Sequence, residues 1–339
     1  MSEVDAVLAV LWVGVTLYAI FGGADFGVGI WDLLAGGAEE GARERELIEH
    51  SIAPVWEANH TWLIFCLVVL WTGFPEAFAA VMSTMFVPLS LAGLGIVLRG
   101  SGFAFRKVTT RLVDRRLFGA IFAISSLLTP FFMGTVVGGI ASGRVPAGGG
   151  GDRLTAWLNW TSVLIGLLFV ATCAYLAAVL LVRDARQAGQ EDLARAFVQR
   201  GLVAAAVAGA LALGGLAVLR DDARPLYDGL LDEGLPLVLL SGVCGGAALA
   251  LLWRGAPRGT RPLAALAVTA VIWAWGAVQY PDLLPGSLTV SAGAASDDTL
   301  AALLVVFGAA ALIVGPALAL LYTLHQRARL EQTGPDTGT

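Results

Sequence analysis

The sequence predicts an all-α membrane protein that crosses the bilayer nine times. Of its residues, 57% are hydrophobic and only 14% are charged, whereas about 25% are charged in an ordinary soluble domain. The apolar residues form long unbroken stretches, each close to the roughly 20 residues that span a bilayer as a helix. Membrane β-barrels show short alternating segments instead. A soluble protein and a β-barrel are therefore both excluded.

The nine spans follow from the apolar stretches in order. We expect them at roughly 6–30, 52–72, 78–98, 117–140, 157–182, 201–219, 235–253, 263–281 and 300–324. Glycine pairs at GxxxG spacing allow two helices to approach closely. Such pairs predict close packing at three places: Gly23/Gly27, Gly134/Gly138 and Gly242/Gly246.

The glycine-rich connection at Gly148–Gly151 is the best candidate for a domain boundary. It separates residues 1–145, an expected N-terminal bundle of four helices, from residues 146–330, whose five helices look like scaffold. The polar residues after 330 predict a disordered tail at 331–339.

Basic residues predict the orientation of the chain in the membrane. With nine spans, the connections on one side carry 17 of the 21 Lys and Arg residues and those on the other side carry 4. Cytoplasmic loops hold the excess of basic residues. We therefore predict a protein of the plasma or inner membrane with its N-terminus outside the cell and its C-terminus in the cytoplasm. Glu3 and Asp5 stand where a cleaved signal would carry basic residues, so the first span is expected to be retained. Membrane lipid is an expected partner, and nucleic acid is not.

The three cysteines predict neither a disulfide nor a metal site. Cys66, Cys173 and Cys244 all fall inside spans and lack CxxC spacing. We interpret them as small buried apolar residues.

Two acids lie inside apolar spans, where each ionisable group costs about 2.5–3.5 kcal/mol and is commonly functional. Asp25 is in the first span and Glu57 in the second, at similar depths by helix rise. We expect the two side chains to lie at the same level of one hairpin, with the polar cluster confined to these two helices. Proton transfer is the favoured role, and a structural role bonded to a neighbouring amide stays open.

His60 and Trp56 flank Glu57 in the second span. His60 is the one histidine placed inside a span, because His50 and His325 fall at span ends. A haem held by two histidines needs a second buried imidazole, so His60 is better interpreted as a proton-path or hydrogen-bonding residue. Trp56 is an interfacial anchor or the wall of a quinone or of a partner's haem.

Arg99 and Arg106 follow the third span, before the most basic connection in the chain. We expect both to anchor this helix end, with the aliphatic stem on apolar surface and the guanidinium in water.

Several separate stretches together resemble the second subunit of cytochrome bd-type quinol oxidases. They are Asp25–Gly29, Pro54–Leu63, Phe74-Pro75, Arg99-Gly100 with Phe103 and Phe105-Arg106, and Tyr280–Ser296. The resemblance spans nearly the whole chain. It implies two four-helix bundles plus a ninth helix, which agrees with the count of spans.

The resemblance also implies a function. The family forms a complex whose first subunit holds haem b, haem d and the quinol site, while the second subunit carries no haem. The complex oxidises quinol and reduces oxygen to water with protons from the cytoplasm. Glu57 would lie on a proton path along the subunit interface, with Asp25 as the matching acid of the first helix. The isolated chain is not expected to catalyse the reaction.

Two other classes of protein also fit a polytopic chain with buried acids. A proton-coupled secondary transporter would use such acids, although transporters commonly have broken helices at matching positions of two halves. A membrane cytochrome in its own right is the second alternative.

Overall fold

The computed structural model describes residues 2–37, 41–109, 111–255 and 259–332. These residues form eleven helices and one two-stranded hairpin, which are joined by loops. They are α1 (Glu3–Leu34), α2 (Ala42–Gly73), α3 (Pro75–Thr84), α4 (Phe86–Val108), α5 (Leu112–Ala141), α6 (Trp160–Gln187), α7 (Glu191–Asp222), α8 (Arg224–Leu231), α9 (Leu235–Trp253), α10 (Thr260–Gln279), β1 (Asp282–Leu284), β2 (Leu288–Thr289) and α11 (Asp297–Gln332).

The all-α membrane fold is confirmed. Eight described helices are long and apolar enough to cross a membrane, and a ninth span is obtained if residues 59–73 and α3 count as one bent crossing. The third predicted span began too early, because the chain bends by 118° between α2 and α3. Pro75 starts α3, where its missing N–H costs no hydrogen bond. The third full crossing is therefore α4.

Local sequence signals account for several helix ends. Ser2 caps α1: its side chain accepts from the Asp5 backbone N–H, and the Asp5 carboxylate accepts from the Ser2 backbone N–H. This reciprocal pair satisfies two backbone donors that the first turn would leave free. Asn159 caps α6 by accepting from the Ser162 backbone N–H. These caps set where the long apolar helices begin.

The main hydrophobic core lies where α1 packs against α2, α5 and α6, and α6 in turn packs against α5 and α7. Buried residues of this core include Phe26 of α1, Phe122 of α5, Leu181 of α6 and Phe197 of α7. Residues on both sides of position 145 therefore share one core. The division into 1–145 and 146–330 stays a prediction, and residues 333–339 of the predicted tail lie outside the described residues.

The β1–β2 hairpin closes a second core at the other end of α1 from Asp32. Leu284 and Leu288 of the hairpin pack in the same cluster as Val7 and Phe74. The Ala295 backbone N–H donates to the Gly73 carbonyl at 2.9 Å. The segment between β2 and α11 thus ties the start of α11 to the bend between α2 and α3.

Two of the three predicted glycine contacts are confirmed. An added Cβ at Gly134 would lie 2.7 Å from the Gly166 Cα, so α5 and α6 approach closely there. Gly27 brings α1 onto α6 in the same way. The third prediction, at Gly242 and Gly246, is wrong, because no described atom lies within 4 Å of an added Cβ at either position.

Replacing Gly27 by alanine is expected to destabilise the protein. The new Cβ would overlap the Cys173 carbonyl and come within 2.6 Å of the Ala177 Cβ. Overpacking of this kind costs about 1–3 kcal/mol. Gly93→Ala is the matched control, because no described atom lies within 4 Å of its new Cβ and alanine favours helix by about 1 kcal/mol. Thermal unfolding of the purified protein measures both, and equal melting temperatures for the two variants would contradict this packing.

Candidate functional site

Asp25 lies completely buried in α1 and forms an ion pair with Arg99 of α4. Arg99 Nη2 donates to Asp25 Oδ1 at 2.7 Å, and Nη1 donates to Oδ2 at 2.9 Å. The second Nη2 hydrogen bond goes to the Asp25 backbone carbonyl at 2.7 Å. The side-chain exposures are 0% for Asp25 and 2% for Arg99. Two parallel N–H···O bonds give the geometry in which guanidinium and carboxylate interact most strongly.

Two further helices complete the polar environment of this pair. Asn59 Nδ2 of α2 donates to Asp25 Oδ2 at 2.9 Å. Arg99 Nε donates to Ser126 Oγ of α5 at 2.8 Å, and the Ser126 hydroxyl donates to the Phe122 carbonyl. The hydrogen bonds of the ion pair therefore involve residues of four helices, α1, α2, α4 and α5. Losing one member of a buried pair leaves the other charge uncompensated, which is strongly destabilising.

A second Asp–Arg pair lies one heptad further along the same two helices. Arg106 Nη1 donates to both carboxylate oxygens of Asp32, at 3.0 and 2.8 Å, and its Nη2 donates to Glu49 Oε1 at 2.7 Å. We call Asp25–Arg99 the first rung and Asp32–Arg106 the second rung.

One aromatic ring separates the two rungs. The Phe122 ring centroid lies 5.0 Å from the Arg99 guanidinium carbon and 5.3 Å from that of Arg106. Both guanidinium groups therefore gain cation–π contact with the same ring. The ring also places a hydrophobic barrier between the two charged levels.

The prediction that Arg99 and Arg106 extend into water is wrong. Both residues are buried, at 2% and 7% exposure, and both face acids of α1. A repeated spacing was the signal that could have revealed this: the two acids are seven residues apart on one helix, and the two arginines are seven residues apart on another. Equal spacing on two helices places the charges at matching levels.

Asn59 has an unused acceptor beside the first rung. The residue is 2% exposed, and its Oδ1 has no hydrogen-bond partner among the described residues. Gly22 of α1 lies against it, since an added Cβ there would stand 2.7 Å from Oδ1. The first rung therefore has a buried acceptor that faces Gly22 and is not used by the described residues.

His60 and Trp56 form a second polar group one turn apart on α2. The His60 Nδ1 lies 2.8 Å from the Trp56 carbonyl. Because a carbonyl can only accept, Nδ1 carries the proton, and Nε2 of a neutral ring is the free acceptor. The two rings meet edge to face, with centroids 4.8 Å apart. The Trp56 ring also lies 6.5 Å from that of Phe103 on α4.

The side chain of Glu57 lies outside the described residues, although its backbone belongs to α2. Position 57 precedes Thr61 and Ile64 by one and two turns, and Ile64 is 61% exposed. Position 59 lies about 160° away around the helix, and the Asn59 side chain hydrogen-bonds to Asp25. The expectation of a polar cluster confined to the first two helices is therefore wrong, because α4 and α5 also take part.

The described residues do not fit a haem held by two histidines. Such a haem needs a second imidazole facing the first. His50 lies on the same helix as His60, about 15 Å away by helix rise, and its Nδ1 donates to the Glu46 carbonyl. Within the described ranges there is no group of three or more His, Cys, Asp or Glu residues that could hold a metal ion. The backbone of His325 belongs to α11, and its side chain is outside what the structure describes.

Comparison with known proteins identifies similar sequences and similar structures. The chain matches the family model described as cytochrome bd terminal oxidase subunit II over residues 4–325. It is 23% identical to the putative cytochrome bd menaquinol oxidase subunit II of Bacillus subtilis, over 95% of this chain and 96% of that protein. The identity is 30% to cytochrome bd-I ubiquinol oxidase subunit 2 of Escherichia coli, over 40% of this chain and 37% of that protein. The structure of bd oxidase from Geobacillus thermodenitrificans matches with a TM-score of 0.77 and 25% identity, covering 96% of this chain and 99% of the matched one.

Proposed function

The chain belongs to the cytochrome bd terminal oxidase subunit II family, and we propose that it supplies this oxidase with a helical scaffold and an inlet for protons. The complex is a quinol oxidase, an oxidoreductase of the membrane. Haem groups bound in that complex would supply the route for electrons from quinol to oxygen. In our proposal, haem b and haem d belong to subunit I, and this chain carries none. The observation that carries the proposal is the polar cluster of four helices inside otherwise apolar spans.

Glu57 and His60 are the proposed proton carriers of this inlet. Both are ionisable, and the free acceptor Nε2 of His60 can take a proton that Nδ1 later releases from the other side of the ring. Positions 57 and 60 lie about 60° apart on α2. Position 57 also lies in line with Ile64 and Trp71, which are 61% and 64% exposed. Exposed residues on this face favour a path along the interface with subunit I.

Asp25 has a different part in the proposed path. Its carboxylate is paired with Arg99, and an arginine keeps its proton in proteins, so it cannot relay one. Asp25 instead orients Asn59 by accepting from its Nδ2 at 2.9 Å, and so fixes the position of α2 beside α1. We therefore propose Asp25 as a positioning residue and Glu57 and His60 as the groups that transfer protons.

The proposed inlet opens to the cytoplasm. Asp25 lies nine residues from the end of α1 at Leu34, about 14 Å by helix rise. That end of α1 adjoins connections rich in Lys and Arg, which supports a position on the cytoplasmic side. Protons consumed in oxygen reduction would then come from the cytoplasm, so that charge is separated across the membrane. The N-terminus is outside in this orientation, and quinone contact with Trp56 stays a prediction.

A haem assay of the chain with and without its partner tests the assignment. We expect no pyridine haemochrome signal from the chain expressed alone, and both haem b and haem d when it is co-expressed and co-purified with subunit I. Haem in the isolated chain would overturn the proposal and favour a membrane cytochrome. A stable monomer from the native membrane with no haem protein attached would instead favour a transporter.

A further inference from the structure

A cavity of about 510 Å³ opens beside the second rung. Asp32, Glu49 and Arg106 form its charged floor. Arg115 and Arg116, from the first turns of α5, form one wall. The proton inlet proposed above does not use these two arginines, so the cavity needs another explanation.

The charges of the cavity favour an anionic ligand. The charges of the floor balance one another. Arg106 forms ion pairs with both Asp32 and Glu49, and Arg45 Nε lies 3.8 Å from Asp32 Oδ1. Arg115 and Arg116 are exposed, and neither guanidinium group has an ion pair or hydrogen bond in the part of the chain that the structure describes. These two unpaired positive charges outnumber the one remaining acid of the lining, Glu46.

The depth of the cavity is that of lipid headgroups. The helix α5 has 30 residues, about 45 Å by helix rise, which exceeds the roughly 30 Å of a hydrocarbon core. Its first turns, with Arg115 and Arg116, therefore lie in the headgroup layer. Further along the same helix, Leu117 is 55% exposed and Ile124 is 49% exposed. An acyl chain can run along this apolar surface from a headgroup in the cavity.

We propose that this cavity binds the headgroup of an anionic phospholipid, with its phosphate on Arg115 and Arg116. Basic pockets between transmembrane helices on the cytoplasmic side bind such headgroups. The guanidinium fork matches phosphate oxygens in pairs, and apolar residues of the lining, such as Ala120 and Ala123, adjoin the glycerol and first methylenes. A lipid here would also shield the second rung from bulk water.

Native mass spectrometry of the purified two-subunit complex tests this proposal. After delipidation, the complex is titrated with phosphatidylglycerol, phosphatidylcholine or inorganic phosphate. We expect phosphatidylglycerol to bind at least about tenfold more tightly than phosphatidylcholine. In Arg115→Gln/Arg116→Gln, that preference should disappear. The matched control, Arg195→Gln/Arg254→Gln, removes two exposed arginines that do not line the cavity and should bind as the unaltered complex does.

A second variant separates charge from shape. Ala120→Phe fills the cavity without changing charge, and it should weaken phosphatidylglycerol binding as well. Equal binding of phosphatidylglycerol and phosphatidylcholine to the unaltered complex would overturn the proposal. An equal loss of the preference for phosphatidylglycerol in Arg195→Gln/Arg254→Gln would also overturn it. Displacement of phosphatidylglycerol by inorganic phosphate at comparable concentration would also overturn it, because the site would then recognise a soluble anion. Binding is the readout throughout, so failure of the proton-inlet proposal would leave these outcomes unchanged.

Discussion

Replacing Arg99 by glutamine is expected to prevent stable assembly. The change leaves the Asp25 carboxylate buried at 0% exposure without its cation. Breaking a buried ion pair from one side costs about 3–5 kcal/mol, which is more than about a hundredfold in the folding equilibrium. Yield and thermal stability of the purified complex measure the loss. Arg224→Gln is the matched control, because its pair with Asp228 is 62% and 56% exposed and such surface pairs contribute about 0–1 kcal/mol.

The double variant Asp25→Asn/Arg99→Gln then separates structure from proton transfer. It removes both charges and keeps amide groups that can hydrogen-bond to each other and to Asn59, so we expect assembly to recover in large part. As a positioning residue, Asp25 is not required to carry a proton, and the recovered complex should consume oxygen. An assembled double variant with normal haem spectra but no quinol-driven oxygen consumption would show that Asp25 itself transfers protons.

Replacing Glu57 by glutamine is expected to abolish most of the quinol-driven oxygen consumption. Glutamine keeps the size and the hydrogen bonding of glutamate but has no acidic proton. Loss of a proton-transferring group typically costs about 10²–10⁴-fold in rate. Glu57→Asp retains the acid and should keep much of the rate. Haem spectra and subunit ratio should be unchanged in both variants, since position 57 lies in line with Ile64 of α2, which is 61% exposed.

The control for Glu57 is Glu76→Gln, which changes an exposed glutamate at the start of α3. It should consume oxygen at the unaltered rate. Full activity of an assembled Glu57→Gln complex would falsify the proton-carrier role and leave Glu57 as a structural residue. A rate that falls equally in Glu76→Gln would indicate a general effect of lost negative charge.

The sequence by itself determined the class of the fold and most of its spans. Apolar runs of about 20 residues can only be buried in lipid or in a large core, and the span predicted at 235–253 coincides with α9. The contacts at Gly27 and Gly134 also followed from a short-range pattern, the GxxxG spacing. The high cost of a buried acid was sufficient to single out Asp25 before its neighbours were known.

The tertiary structure alone decided which residues complete the site. Asp25 and Arg99 are 74 residues apart, as are Asp32 and Arg106, and hydropathy along the chain carries no information about such partners. For that reason Arg99 was interpreted as an anchor in water, although it is 2% exposed. The bend at Pro75 was hidden for the same reason, because an apolar stretch has the same composition whether it runs straight or turns. Composition determines that a segment is buried, whereas the charge that balances a buried acid depends on which helices pack around it.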